Sequence, residues 1–252
     1  MLRLLTIPIS HYCEKARWAL ERARLDYREE RHVQGVHRVA ARRAGGGSTV
    51  PVLVAPEVVV ASSREIVVWA DAQLALEDRL FGQGGGPDDP LRGICDRLDE
   101  VLGPAGRRLM YVHMLEQREL AVRYNNQGVP PWEARVISLG WWGMQRFVAR
   151  ALGIHPGVER EDERVVFAEL DHVATLLADG HPYLSGERFG AADLTFAAMA
   201  ASVIFPPAYG VRLPQPAELA PRTAALVERA RAHPAGAHAM LMFERHRGEL
   251  VG

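Results

Sequence analysis

Near residue 80 the apolar pattern of this 252-residue chain changes period, which limits its possible folds more than any other feature. Before that point, short apolar runs alternate with helix-like stretches. Residues 2–7 (LRLLTI) form an apolar run stopped by Pro8, as in a buried strand. Ser10 can cap a helix that runs to about Ala23, with Ala16, Leu20 and Ala23 on one face. Residues 26–33 (DYREERHV) alternate as a second strand, and residues 37–43 look helical until the run Gly45-Gly46-Gly47 ends them. Residues 50–54 (VPVLV) and 58–60 make two further strands around a Pro-Glu turn. Ser62 or Ser63 then opens a helix to about Leu80. The order β-α-β-α-β-β-α predicts a mixed sheet covered by helices.

Residues 81–90 (FGQGGGPDDP) have the composition of an exposed linker, which divides the chain into domains of 1–82 and 88–252. Beyond it the period is helical throughout. Residues 91–122, 131–152 and 160–178 read as long helices, and two shorter ones span 221–232 and 234–247. Residues 193–204 are nearly all apolar, so they should form the central buried helix of this half.

Composition removes several classes of function. Thirty basic against 31 acidic side chains leave a net charge of −1, with no basic excess to neutralise a phosphate backbone, so nucleic acid is not an expected partner. No apolar run reaches the roughly 18–20 residues of a membrane span. The first residues, MLRLLTIPISHYCEK, are apolar only briefly and lack a small-residue cleavage site, so they do not read as a signal peptide. Two cysteines, Cys13 and Cys95, make neither a disulfide framework nor a structural zinc site. A cytoplasmic protein without a metal is the expectation. Lys15 is the only lysine among 30 basic residues, and we read the excess of Arg and Ala as genome composition.

Three places could carry chemistry. At Ser10-His11-Tyr12-Cys13 a strand meets a helix N-terminus, whose free N–H groups and partial positive charge suit a thiolate. The alternative is that Ser10 only caps the helix and Cys13 packs beneath it. At Val50-Pro51, a cis peptide would turn the Val50 N–H and C=O outward to pair with an extended peptide ligand, whereas a trans proline would simply begin an edge strand. At Ser62-Ser63 two hydroxyls and the free N–H groups of a helix start can hold a carboxylate, or serve as an ordinary cap.

The order and spacing of these segments are more specific than any one of them. A strand, then SHYCEKARWAL, then VPVL some 35 residues on, then SSREI twelve residues after the proline, followed by an all-helical half, resembles the glutathione S-transferase family across essentially the whole chain. The resemblance implies an α/β thioredoxin-like N-terminal domain, an all-helical C-terminal domain and a homodimer working in detoxification. It also implies glutathione as co-substrate and a hydrophobic small-molecule electrophile. Ser10 falls where the family activates the glutathione sulfur, Val50 pairs with its cysteinyl backbone, Pro51 matches the cis-proline, and Ser63 binds the γ-glutamyl carboxylate. Ser62 stands where the family more often has Glu or Gln, so one contact to the γ-glutamyl amine is altered. SHYC also resembles the CPYC motif of glutaredoxins with the reactive first cysteine replaced by serine, which favours conjugation over thiol–disulfide exchange. Tyr12 offers a further hydroxyl, and Cys13 a nucleophile if exposed.

In the helical half, FGAADL at 189–194 resembles the family's capping box with Gly190 in place of the hydroxyl residue, which makes Asp193 structural. Tyr111, Met114 and Trp141 are the residues expected to hold the electrophile, Tyr111 and Met114 sharing a helix face. A core role is the alternative for each. Two further functions remain open: a non-catalytic binding or scaffold protein on the same fold, and a specialised glutathione-dependent isomerase or dehalogenase.

Overall fold

The computed structural model describes residues 1–82 and 89–248. Strands β1 (Leu2–Thr6), β2 (Tyr27–Arg31), β3 (Val52–Val54) and β4 (Val59–Ala61) form one sheet in the order β2-β1-β3-β4. β1 runs parallel to β2 and antiparallel to β3, and β3 pairs antiparallel with β4, with Leu4 opposite Leu53 and Leu53 opposite Val60. Helices α1 (His11–Arg22), α2 (Val36–Arg43) and α3 (Ser63–Asp71) complete the expected β-α-β-α-β-β-α order. The glycine run before β3 is a steric requirement. Gly45 and Gly47 have φ of +85° and +80°, and a Cβ on Gly46 would overlap the Val52 side chain.

α3 stops at Asp71, nine residues short of the end expected at Leu80. The Asp71 carboxylate accepts the Leu80 N–H at 2.5 Å, which folds residues 72–80 back instead of extending the helix. Leu80 in turn offers its carbonyl to the Ala191 N–H at 3.0 Å. Of the expected linker, residues 83–88 lie outside the described residues.

From Pro90 the described chain is helical, but the long helix expected over 91–122 is broken. α4 (Pro90–Arg97) passes through a π turn (Leu98–Leu102) into α5 (Gly103–Leu115), and α6 (Arg118–Asn125) follows. Pro104 is the reason. It has no N–H for the Glu100 carbonyl and its ring crowds that turn, so the chain widens, with Gly103 N–H donating to the Leu98 carbonyl five residues back. The expected 131–152 helix is likewise two, α7 (Pro131–Leu139) and α8 (Trp141–Leu152), separated at Gly140. α9 (Val158–Leu176), α10 (Ala191–Ile204), α11 (Pro221–Ala232) and α12 (Pro234–Met242) lie close to their expected positions, and a second π turn (Phe243–Arg247) ends the described chain.

Every residue of α10 is buried, as its apolar sequence predicts. Asp193 accepts N–H bonds from Gly190 at 3.1 Å, Leu184 at 2.7 Å and Ser185 at 3.2 Å, so it supplies its half of the capping box and fastens the preceding loop. α1 packs against both α3 and α10, and one apolar core runs continuously from Leu4 and Leu53 of the sheet through Trp18 to Phe196 and Phe243.

Charged groups also cross this core. Lys15 on α1 is buried and gives its Nζ to both Asp99 carboxylate oxygens, at 2.7 and 2.9 Å. Asp99 lies in the first π turn, so the pair joins the sheet half to the helical half. Removing one partner strands a buried charge, which costs about 3–5 kcal/mol. Lys15→Met should lose stability on that scale, read as a lower urea midpoint with unchanged m; a loss under about 0.5 kcal/mol, as for an ordinary surface change, would remove this pair from the fold's supports.

Candidate functional site

Two cavities meet α5. The first is a cleft of about 390 Å³, within the roughly 300–1,000 Å³ usual for small-molecule sites. Its sheet-side wall is Thr49, Val50, Pro51 and the first turn of α3, Ser62 to Glu65. Its helical wall is Asp99 and Arg107, and Tyr12 of α1 also lines it. Four residues expected to bind the co-substrate (Val50, Pro51, Ser62 and Ser63) therefore face one space. The Val50–Pro51 peptide is cis, and the Pro51 carbonyl accepts the Ser62 N–H at 3.3 Å.

Ser62 caps α3, its hydroxyl accepting the Glu65 N–H at 3.3 Å. It does so with φ of +105°, a region costly for a side-chain-bearing residue and of the kind that clusters at active sites, ligand clamps and switch regions. Ser63 is buried as the first residue of the helix, beside the N–H groups that α3 leaves unpaired.

The α1 residues are placed less uniformly. Ser10 caps α1 and accepts the Cys13 N–H at 3.4 Å, which leaves its own proton free to donate. Neither Ser10 nor Cys13 is among the described residues that line the cleft. Cys13 is fully buried, takes a hydrogen bond from the Ile7 N–H at 3.4 Å, and burial pushes its thiol up. As placed, that thiol meets the core and not a ligand. Tyr12 donates its hydroxyl to the Asp99 carbonyl at 2.9 Å, and burial raises its pKa to about 12, so it stays protonated. A Cβ on Gly103 would collide with the Tyr12 hydroxyl and sulfur of Met199, which explains glycine at the end of the π turn.

The second cavity brings together the three residues expected to hold the electrophile. Tyr111, Met114 and Trp141 line it with Ile9, Ile137 and Met144, in a volume of about 20 Å³, enough for one water. At one side Gln34 and Asn125 pair their amides, at 2.6 and 2.5 Å, and the Tyr111 hydroxyl accepts from Gln34 at 2.8 Å. Trp132 and Trp142, at 56% and 72% exposure, face solvent instead. His113 is buried with its Nδ1 against the Thr223 hydroxyl at 3.2 Å.

Sequence reading missed Thr49, Arg64, Asp99 and Arg107 on the cleft and Gln34 and Asn125 on the apolar cavity. Only the break that Pro104 forces in its helix marked the turn holding Asp99.

Residues 4–77 match the family model of the glutathione S-transferase N-terminal domain. The chain as a whole has the glutathione S-transferase fold. It is similar to a glutathione S-transferase of Ceriporiopsis subvermispora in complex with glutathione, at 16% identity over 97% of each chain with a TM-score of 0.62. It is also similar to a glutathione S-transferase of Methylobacillus flagellatus with glutathione bound, at 17% identity over 99% of this chain and 98% of that one, TM-score 0.61. A glutathione S-transferase of maize in complex with an atrazine glutathione conjugate aligns at 14% identity over 99% and 96%, TM-score 0.62. At such identities the likeness establishes the fold. No curated protein matches the sequence. Among the described residues, no helix of this glutathione S-transferase fold is long and apolar enough to cross a membrane.

Behind the cleft, His11 is buried without a well-formed hydrogen bond on either ring nitrogen. Burial first, then the Arg107 charge, lower its pKa from 6.5 to about 3, weakly opposed by the Gly103 backbone. Between pH 6.5 and 3 the unfolded chain therefore binds a proton that the folded chain refuses, and stability falls as pH drops through that window. His11→Phe should make the dependence shallower by up to about 1.4 kcal/mol per pH unit there, measured by urea unfolding from pH 7 to 4. An unchanged slope would mean that His11 titrates alike in both states.

Proposed function

We propose that the chain is a glutathione-dependent transferase that joins the glutathione sulfur to a hydrophobic electrophile. The observation that carries this reading is the gathering of Val50, Pro51, Ser62 and Ser63 on one 390 Å³ cleft. Glutathione lies extended along Val50 and Pro51, and its γ-glutamyl carboxylate sits at Ser63 and the N-terminus of α3. The altered contact at Ser62 leaves recognition of the γ-glutamyl amine to other groups. Its thiol reaches toward Ser10 at the start of α1. There a donated O–H and the positive helix end favour the thiolate, and lowering the thiol pKa by one unit from about 8.5 needs about 1.4 kcal/mol. The thiolate lone pair then forms the C–S bond, and the leaving group departs with the bonding pair of the electrophilic carbon.

Tyr12 belongs to the same site as a cleft-lining hydroxyl already donated to Asp99. Cys13 contributes packing beneath the helix end. Tyr111, Met114 and Trp141 receive the apolar part of the electrophile after their side chains part, since the cavity they enclose is small. The reading carries with it a division into domains 1–82 and 88–252, a homodimer, a cytoplasmic location and a role in detoxification.

A second reading, a non-catalytic binding or scaffold protein on the same fold, is favoured by Ser10 not being among the described residues that line the cleft. Titration of reduced glutathione by calorimetry should show saturable binding that Ser63→Ala weakens about tenfold, the loss of one charge-assisted hydrogen bond. No heat at millimolar ligand would reject glutathione. With a panel of aromatic halides, Ser10→Ala should shift the pH–rate profile of transfer upward by about one pH unit. Binding without turnover on any of them would favour a specialised glutathione-dependent isomerase or dehalogenase, and no binding at all the scaffold reading.

A further inference from the structure

The cleft contains a positive charge that no carboxylate among the described residues balances. Of its four charged lining residues, Arg64, Glu65, Asp99 and Arg107, two are held by partners across the cleft floor. Asp99 is held by Lys15 at 2.7 Å and approached by Arg64 at 3.6 Å, and Arg64 also pairs with Asp96 and Glu100, each at 3.0 Å. Arg107 pairs with no carboxylate and makes no hydrogen bond among the described residues, and its Nε is buried without a partner. Its guanidinium rests 5.8 Å from the centre of the Tyr12 ring. The uncompensated charge is felt locally: after burial, it is the second cause that holds His11 neutral. A guanidinium never discharges at physiological pH and presents a planar fork of donors, so it is matched by a carboxylate, sulfonate or phosphate.

Its place on α5 says which molecule brings that anion. Arg107 stands one turn before Tyr111 and two before Met114, the residues of the apolar cavity, so the three share one face of the helix. Val50, Pro51, Ser62 and Ser63, which take the tripeptide in the reading above, come from the sheet half. We propose that Arg107 is an anion subsite for the second substrate: the electrophile carries an acidic group that seats on this guanidinium while its apolar part runs along α5 toward Tyr111 and Met114. This inference rests on the glutathione reading.

The test compares two conjugates that differ in one charge, S-benzylglutathione and S-(4-carboxybenzyl)glutathione, titrated calorimetrically into the whole protein, with reduced glutathione as reference. The wild type should bind the carboxylated conjugate at least tenfold more tightly than the neutral one. In Arg107→Gln that preference should collapse to within about twofold, and Arg107→Lys, which keeps the charge and loses the fork, should restore part of it. Equal affinity of the wild type for the two conjugates, with glutathione itself bound, overturns the subsite and leaves the glutathione reading intact. Equal weakening of both conjugates and of glutathione in Arg107→Gln also overturns it and assigns the guanidinium to the tripeptide. Failure of all three ligands to bind overturns the glutathione reading and this inference with it. Among the described residues Arg107 pairs with no carboxylate and only overlies the Tyr12 ring, so both variants should stay close to the wild-type melting temperature.

Discussion

The Lys15–Asp99 pair is the contact through which the two halves of the chain agree on the position of the cleft. Lys15 belongs to α1, whose first turn holds Ser10 and Tyr12, and Asp99 belongs to the π turn that delivers α5. The pair fixes α1 against that turn, and the Asp99 carbonyl then takes the Tyr12 hydroxyl on the cleft side. A buried ion pair gains less over an apolar contact than its Coulomb energy suggests, because both charges must leave water. Its directional geometry permits only one relation between the two elements.

A second set of buried charges acts at the other end of α1. Arg17 pairs with Glu14 and Glu29, and Arg247 from the last described turn pairs with Glu14 and Glu21. Burial works against the Arg17 charge, but its two carboxylates hold it firmly on. Glu14 also accepts the Gly210 N–H at 3.0 Å, and the Trp18 indole donates to the His246 carbonyl at 3.1 Å. The last described turn is thereby wrapped over the same helix that opens the site, while the apolar side of α1 packs on α3 and α10.

Local chemistry wrote most of the sheet half into the sequence. Apolar runs bounded by Pro8, the Gly45–Gly47 run and the Pro-Glu turn marked the strands, and Ser10 and Ser62 marked helix starts, because caps and breakers act over three or four residues. The apolar composition of residues 193–204 foretold a wholly buried helix for the same reason. Helix lengths were harder. Residues 72–80 keep a helix-compatible pattern, yet a single side-chain carboxylate, Asp71, turns them back by binding Leu80. The Pro104 break was visible as a residue type, but periodicity alone bridged it.

The sequence by itself determined the order of elements, pointed to Val50, Pro51, Ser62 and Ser63 of the cleft's sheet-side wall, and marked the apolar face of α5, since each follows from short-range pattern. Tertiary structure alone decided which charges were spent and which were spare. Arg64 and Arg107 both stand in the first half of a helix; one is surrounded by Asp96, Asp99 and Glu100, and the other has no carboxylate partner among the described residues. Burial likewise separated Cys13, beneath the helix, from Tyr12, beside the cleft, though they are neighbours in the chain. Pairing and burial depend on residues dozens of positions away, and no local pattern records them.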